Sequence, residues 1–224
     1  MKKFLLSVIL QLLSVQAHAL EFNVINEKLI ITGEIVDGDF DSYQKAIAGM
    51  QIKIVSVNSI GGVVDEAIKI GDDIFSKKYN VEVFEKCISS CANYIFTAGI
   101  NKIIDRKSIV VWHGSPSKLC AHTLPKIQIS SMSEIQALEY QEYLKKIEIA
   151  SDEFFSRIKV DPRITCLNSM YINLYAHYDG YTMWPEAMAQ FGVFGVTNYR
   201  PTKNSLTIKN KSVINFKNKI FIFE

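Results

Sequence analysis

The sequence predicts an α/β fold with parallel strands. Three β-rich apolar runs, residues 28–32, 52–57 and 81–84, are each followed by a helix-like segment, and a fourth, 108–112, closes the series. Strands that alternate with helices in this way pair in parallel, because each crossover helix must pack back on the sheet.

The elements follow in order. Leu29, Ile30 and Ile31 form the core of the first strand. Asp37-Gly38-Asp39 is a turn and helix start, and 40–48 reads as a short helix. The run 52–57 suits a buried strand and ends at Asn58-Ser59-Ile60-Gly61-Gly62. Over 63–76, Val64, Ala67, Ile68, Gly71, Ile74 and Phe75 recur at three- and four-residue intervals, which gives one buried helix face. Residues 90–98 are apolar enough for a helix buried all round. Residues 133–158 read as one long helix with Ser133 as N-cap. A last helix, 185–191, opens on Pro185 and stops at Gly192. The Lys/Asn-rich tail, 201–224, alternates in hydropathy and suggests an added hairpin.

The beginning of the chain reads as an export leader. Lys2 and Lys3 precede an apolar run, 4–13, and Ala17-His18-Ala19 has the small-x-small pattern of a cleavage site after Ala19. The run is about ten residues, against roughly 20 for a membrane span. The expected organisation is a leader over 1–19, one domain over 20–200 and the extension. No integral membrane segment is expected after cleavage, and the location is periplasmic or secreted. The 25 basic and 23 acidic residues become 23 and 23 once Lys2 and Lys3 are lost. A neutral domain gives no electrostatic ground for binding nucleic acid.

Cys87, Cys91, Cys120 and Cys166 all lie beyond the leader. An even number in an oxidising compartment favours disulfides, in any of three pairings. Cys87 and Cys91 are able to pair if Cys87 lies outside the helix. Zinc is disfavoured because CxxxC has no matching second half, so no metal is expected. His122 and His177 read as surface residues.

Two junctions carry the chemistry: Asn58 to Gly62, and Cys87-Ile88-Ser89-Ser90-Cys91-Ala92. Each stands between a strand and a helix, where unpaired backbone N–H groups favour a developing negative charge. Ser90 opens an apolar helix as an N-cap or a nucleophile. His113 ends the next strand on the same carboxyl edge, as a packed imidazole or a base. A serine, a histidine and oxyanion donors in one crevice are what acyl transfer needs.

In this order and spacing, Asn58 to Gly62, then Ser90-Cys91-Ala92-Asn93-Tyr94-Ile95-Phe96-Thr97-Ala98-Gly99, then 108–113, the chain resembles the proteolytic subunit of the Clp protease. It resembles the exported Clp-like proteins of bacteria more closely. The resemblance covers about 29–196. It implies a ClpP/crotonase-like spiral of βαβ units, with 133–158 as a handle-like helix through which copies of the chain associate. It implies Ser90 as nucleophile, with Ser89 its neighbour, and His113 as base. The Gly62 and Cys91 N–H groups, with Gly61 beside them, would form the oxyanion hole. Aligned without a gap, the family's aspartate falls on Gly180; a shift of one residue makes Asp179 the orienting acid. The expectation is an ATP-independent serine peptidase acting on peptides or unfolded protein, with no cofactor. Its rival is an inactive binding or assembly protein of the same fold. A Ser–Lys peptidase and thioester chemistry are weaker, given His113 and the scarcity of coenzyme A outside the cytoplasm.

Overall fold

The computed structural model describes residues 19–120, 132–167, 180–197, 199–201 and, for the backbone, 220–223. It is a mixed α/β fold whose main sheet is mostly parallel. Strands β1 (Glu21–Ile25), β2 (Lys28–Ile35), β3 (Ile54–Gly62), β4 (Asn80–Ile88) and β5 (Lys102–Ile104) lie side by side in that order. β6 (Ile109–Val111) pairs with the second half of β4, beyond β5. Among the described residues, the one antiparallel pair in this sheet is the β1–β2 hairpin, whose first strand the sequence does not announce.

Burial explains the strands. Leu29 and Ile31 alternate with half-buried neighbours on β2, while Val55, Ser56 and Val57 are buried in succession on β3, as expected of a central parallel strand. β3 and β4 run longer than expected. β3 continues through Gly61 and Gly62 because Gly62 still pairs with Ile35. β4 continues past Glu85, where a positive φ of 64° bends the strand and hands its pairing from β5 to β6.

Helix α1 (Asp39–Ile47) follows β2, and α2 (Val64–Ser76) follows β3. Ala67, Ile68, Ile70, Gly71 and Ile74 are the buried face of α2. A Cβ at Gly71 would stand 2.5 Å from the Tyr94 carbonyl oxygen, so α2 approaches the next helical segment backbone to backbone. That segment is wider than expected: Cys91–Phe96 is a π-helix, entirely buried.

The long helix α3 (Glu134–Ile158) begins with a capping box between Ser133 and Gln136. Its last turns are anchored by Phe154 and Phe155 against Tyr94, and by the Tyr94–Ser151 hydroxyl pair at 2.9 Å. Its first turns are uncovered, with Ile135 69 % and Leu138 57 % exposed. Strand β7 (Gly180–Met183), helix α4 (Pro185–Ala189) and strand β8 (Val196–Thr197) follow, β8 completing the sheet beside β5. In the tail, β9 (Ile220–Phe223) runs parallel to β7. The end of the tail therefore joins the domain; residues 202–219, where a hairpin partner was expected, lie outside the described residues.

Two disulfides close, Cys87–Cys91 and Cys120–Cys166, compatible with an oxidising compartment. Cys87 sits on β4 and Cys91 opens the π-helix, which is why a four-residue separation can be bridged. Among the described residues, no helix is long and apolar enough to cross a membrane.

Candidate active site

The carboxyl ends of β3, β4 and β6 meet at one edge. β3 delivers Gly61 and Gly62, with φ of 89° and 142°, conformations that favour glycine. A Cβ at Gly61 would lie 2.6 Å from the Ile88 oxygen and 2.8 Å from both Ser89 Cβ and Ser90 N. The glycine is therefore what lets the two junctions touch. β4 delivers Ser89 and Ser90. β6 carries Val111, and the chain continues through Trp112 to His113.

The parallel register sets Ile88 beside Val111, and the Ser89 N–H extends that ladder to the Val111 oxygen at 3.0 Å. His113 thus stands one strand over from the serines and slightly beyond them. Asn93, inside the π-helix, donates through Nδ2 to the Gly114 oxygen at 2.8 Å and ties the residue after His113 to the serine-bearing helix. Sequence reasoning did not pick out Asn93; only the fold shows that it faces Gly114.

Ser90 is 3 % exposed, and its hydroxyl donates to the Gly62 carbonyl oxygen at 2.8 Å. It makes no capping bond to its own helix. It makes no hydrogen bond to His113 either. The Gly62 group that meets Ser90 is therefore a carbonyl rather than the expected oxyanion donor. The Cys91 N–H belongs to the first turn of the helix, where amides lack acceptors within the helix. Ser89 is half-buried, with φ of 59°, and no side-chain partner holds its hydroxyl among the described residues.

Burial draws the His113 imidazole below its ordinary value of 6.5, because charging it would cost solvation. Gly180 packs against it; a Cβ at Gly180 would come within 3.5 Å of His113 Cβ. Having no side chain, Gly180 supplies no acid. Asp179, His122 and His177 lie outside the described residues. Among the described residues no three His, Cys, Asp or Glu side chains gather where they could hold a metal ion.

Beside this edge runs an apolar groove of about 440 Å³. Ile35, Gly62 and Val64 form one wall, and Tyr140, Leu144 and Ile147 of α3 the other. The groove begins at the residue whose carbonyl holds Ser90. Neither a family model nor a curated protein matches this chain.

Proposed function

We propose that the chain is an exported serine hydrolase, acting without ATP on peptides or unfolded protein, with a ClpP/crotonase-like spiral fold. The observation that carries this reading is the meeting of a serine pair, the Gly61 backbone and His113 at one sheet edge, with burial disfavouring the charged imidazole. A neutral imidazole is the form that accepts a proton.

The reaction is the following. A serine hydroxyl of the junction, Ser90 on the resemblance, gives its proton to His113 as its oxygen bonds to the peptide carbonyl carbon. The carbonyl oxygen becomes an oxyanion facing first-turn amides such as that of Cys91. The C–N bond breaks and the amine leaves with the proton from His113. Water then adds to the acyl ester, loses a proton to His113, and frees the serine and the acid. Asp179 is the proposed orienting acid. The apolar groove takes the side chains of an extended substrate.

Leader removal after Ala19 places the protein in the periplasm or outside the cell, where an ATP-driven unfolding partner is absent. The uncovered apolar residues of α3, Ile135 and Leu138, are the proposed contact between copies. Replacing both by Lys is expected to lower the mass by light scattering while changing the melting temperature little.

The second reading, a binding scaffold without chemistry, draws on the buried Ser90 hydroxyl and its bond to Gly62. Fluorophosphonate labelling of the oxidised mature protein decides between the two. Labelling that disappears in His113→Ala supports the hydrolase; no labelling of folded protein supports the scaffold.

A further inference from the structure

The structure assigns the nucleophilic role at this edge to Ser89 rather than to Ser90, an inference that rests on the hydrolase reading. Ser89 occupies the bend between β4 and the helix in a left-handed conformation, φ 59°, that a residue with a side chain seldom adopts. Such conformations persist where the surroundings impose them, and here the surroundings are explicit. The Cys87–Cys91 bond closes a short ring around Ile88, Ser89 and Ser90. The Ser89 N–H is bonded to Val111 and its carbonyl oxygen accepts from the Asn93 N–H at 2.8 Å. The backbone is held at both ends while the hydroxyl is left without a partner among the described residues and reaches solvent.

Ser90 is the reverse case, buried and bonded to Gly62. Its useful group is the backbone N–H. That N–H lies at the start of the helix, with Gly61 so close that a Cβ there would stand 2.8 Å away. With Ser89 as nucleophile, the donor to the oxyanion is the next residue's amide. The bond-making is that of the reaction above, with Ser89 Oγ forming and later releasing the acyl ester.

The test is peptide mapping of the fluorophosphonate adduct on the oxidised protein, with Ser89→Gly as the variant. Glycine accepts the left-handed conformation, so the fold is kept, which circular dichroism checks. The expected result is an adduct on Ser89 and a loss of labelling on the order of 10³-fold or more in Ser89→Gly. An adduct on Ser90 overturns the assignment and leaves the hydrolase reading standing. No adduct on the folded wild type overturns both.

A separate observation lies at the start of α1. Asp39 is 3 % exposed and, among the described residues, has no ion pair. Its carboxylate accepts from the Val36 N–H at 2.7 Å and stands near the Leu20 N–H. Leu20 is buried and Ala19 exposed, and the expected leader cut falls between them. We propose that cleavage there creates an ammonium at Leu20 that pairs with the waiting Asp39 carboxylate, so that leader removal completes the fold. Hydrolysis breaks the Ala19–Leu20 C–N bond; water supplies hydroxyl to Ala19 and hydrogen to the Leu20 nitrogen, which takes one more proton from solvent.

Among the described residues the charged group that acts on Asp39 is Glu66 on α2. Lys69 is engaged with Glu66 at 2.6 Å, which leaves Asp39 without a cation of its own. Burial and the Glu66 charge now push Asp39 above its ordinary value, a strain that an adjacent ammonium relieves. The consequence reaches the site. Asp39 holds Val36, and the neighbouring Ile35 oxygen accepts from the Val63 N–H at 2.9 Å, next to Gly62.

The test compares the chain starting at Leu20, released from a fusion by a clean cut, with the same chain carrying an acetylated Leu20. The amine in the folded protein is expected to titrate about one unit or more above the ordinary 7.7–8.0. A raised amine stabilises below its unfolded value and ceases to do so as pH rises through its folded value. The free-amine protein should therefore melt about 2–4 °C higher near pH 6.5. The two forms should converge above pH 9 or so. Asp39→Asn should remove the difference. An amine that titrates normally, with equal melting of the two forms, overturns the proposal. Amino-terminal sequencing of exported protein that begins elsewhere overturns it by way of the leader.

Discussion

At the scale of single residues, Gly61 is where the edge has least tolerance. Alanine there meets three atoms within 2.8 Å, two of them backbone, at a φ of 89°. Gly61→Ala is expected to cost about 1–3 kcal/mol, read by thermal melting, and to abolish fluorophosphonate labelling by pushing the serine turn away. His113 gives a pH prediction of definite sign. Its folded value is depressed, so the neutral base survives to lower pH than a free imidazole. The acid limb of the labelling rate should fall below pH 6.5. Stability should also decline as pH drops through 6.5, because the unfolded chain takes up the proton first. A limb at or above 6.5 would mean that a carboxylate beside the ring outweighs burial. The identities Gly61, Ser89, Ser90 and His113 were all legible in the sequence. That the Ser90 hydroxyl is bonded to Gly62 while Ser89 takes a left-handed turn was not, because both follow from how β3 meets the π-helix, which no composition or periodicity announces.

At the scale of elements, the helices were easier to read than the strand ends. The α2 face and the α3 cap follow from spacing and from Ser133. β3 and β4 outran their apolar cores because Gly62 and Cys87 are held by neighbours, Ile35 and Val110, that no local pattern reveals. The short strands β5 and β8 are fixed by Lys102, which is 4 % exposed on β5. Its ammonium joins the Gly99 carbonyl, at the close of the serine-bearing helix, to that of Phe194 before β8, at 2.6 and 3.0 Å. With no carboxylate among these bonds, burial lowers its pKa to about 8. Between that value and the ordinary 10.5 the unfolded chain holds more protons than the folded one, so stability should rise with pH. Melting temperatures taken from pH 7 to 10 should show the rise, and Lys102→Met should flatten it.

At the scale of the whole molecule, the two disulfides contribute unequally. In the chain-entropy account, closing the 46-residue Cys120–Cys166 span stabilises by about 4 kcal/mol, and the four-residue Cys87–Cys91 span by about 2. Replacing Cys120 and Cys166 by Ser should therefore lower the melting temperature more than replacing Cys87 and Cys91. The latter pair should show its loss in labelling instead. The α/β class was legible because three strand–helix alternations and a closing strand suffice for it. The sheet order was not, since β8 joins β5 from a distant part of the chain. That distance has a consequence in time. A chain threaded out from its first residue releases Val196 about ninety residues after Lys102. Throughout that interval the outer edge of β5 is bare, and a bare apolar edge recruits other chains. Lys102 is then hydrated and charged, a guard against wrong pairing, and the ammonium later sealed inside the protein is what remains of that guard once its strand has found its mate.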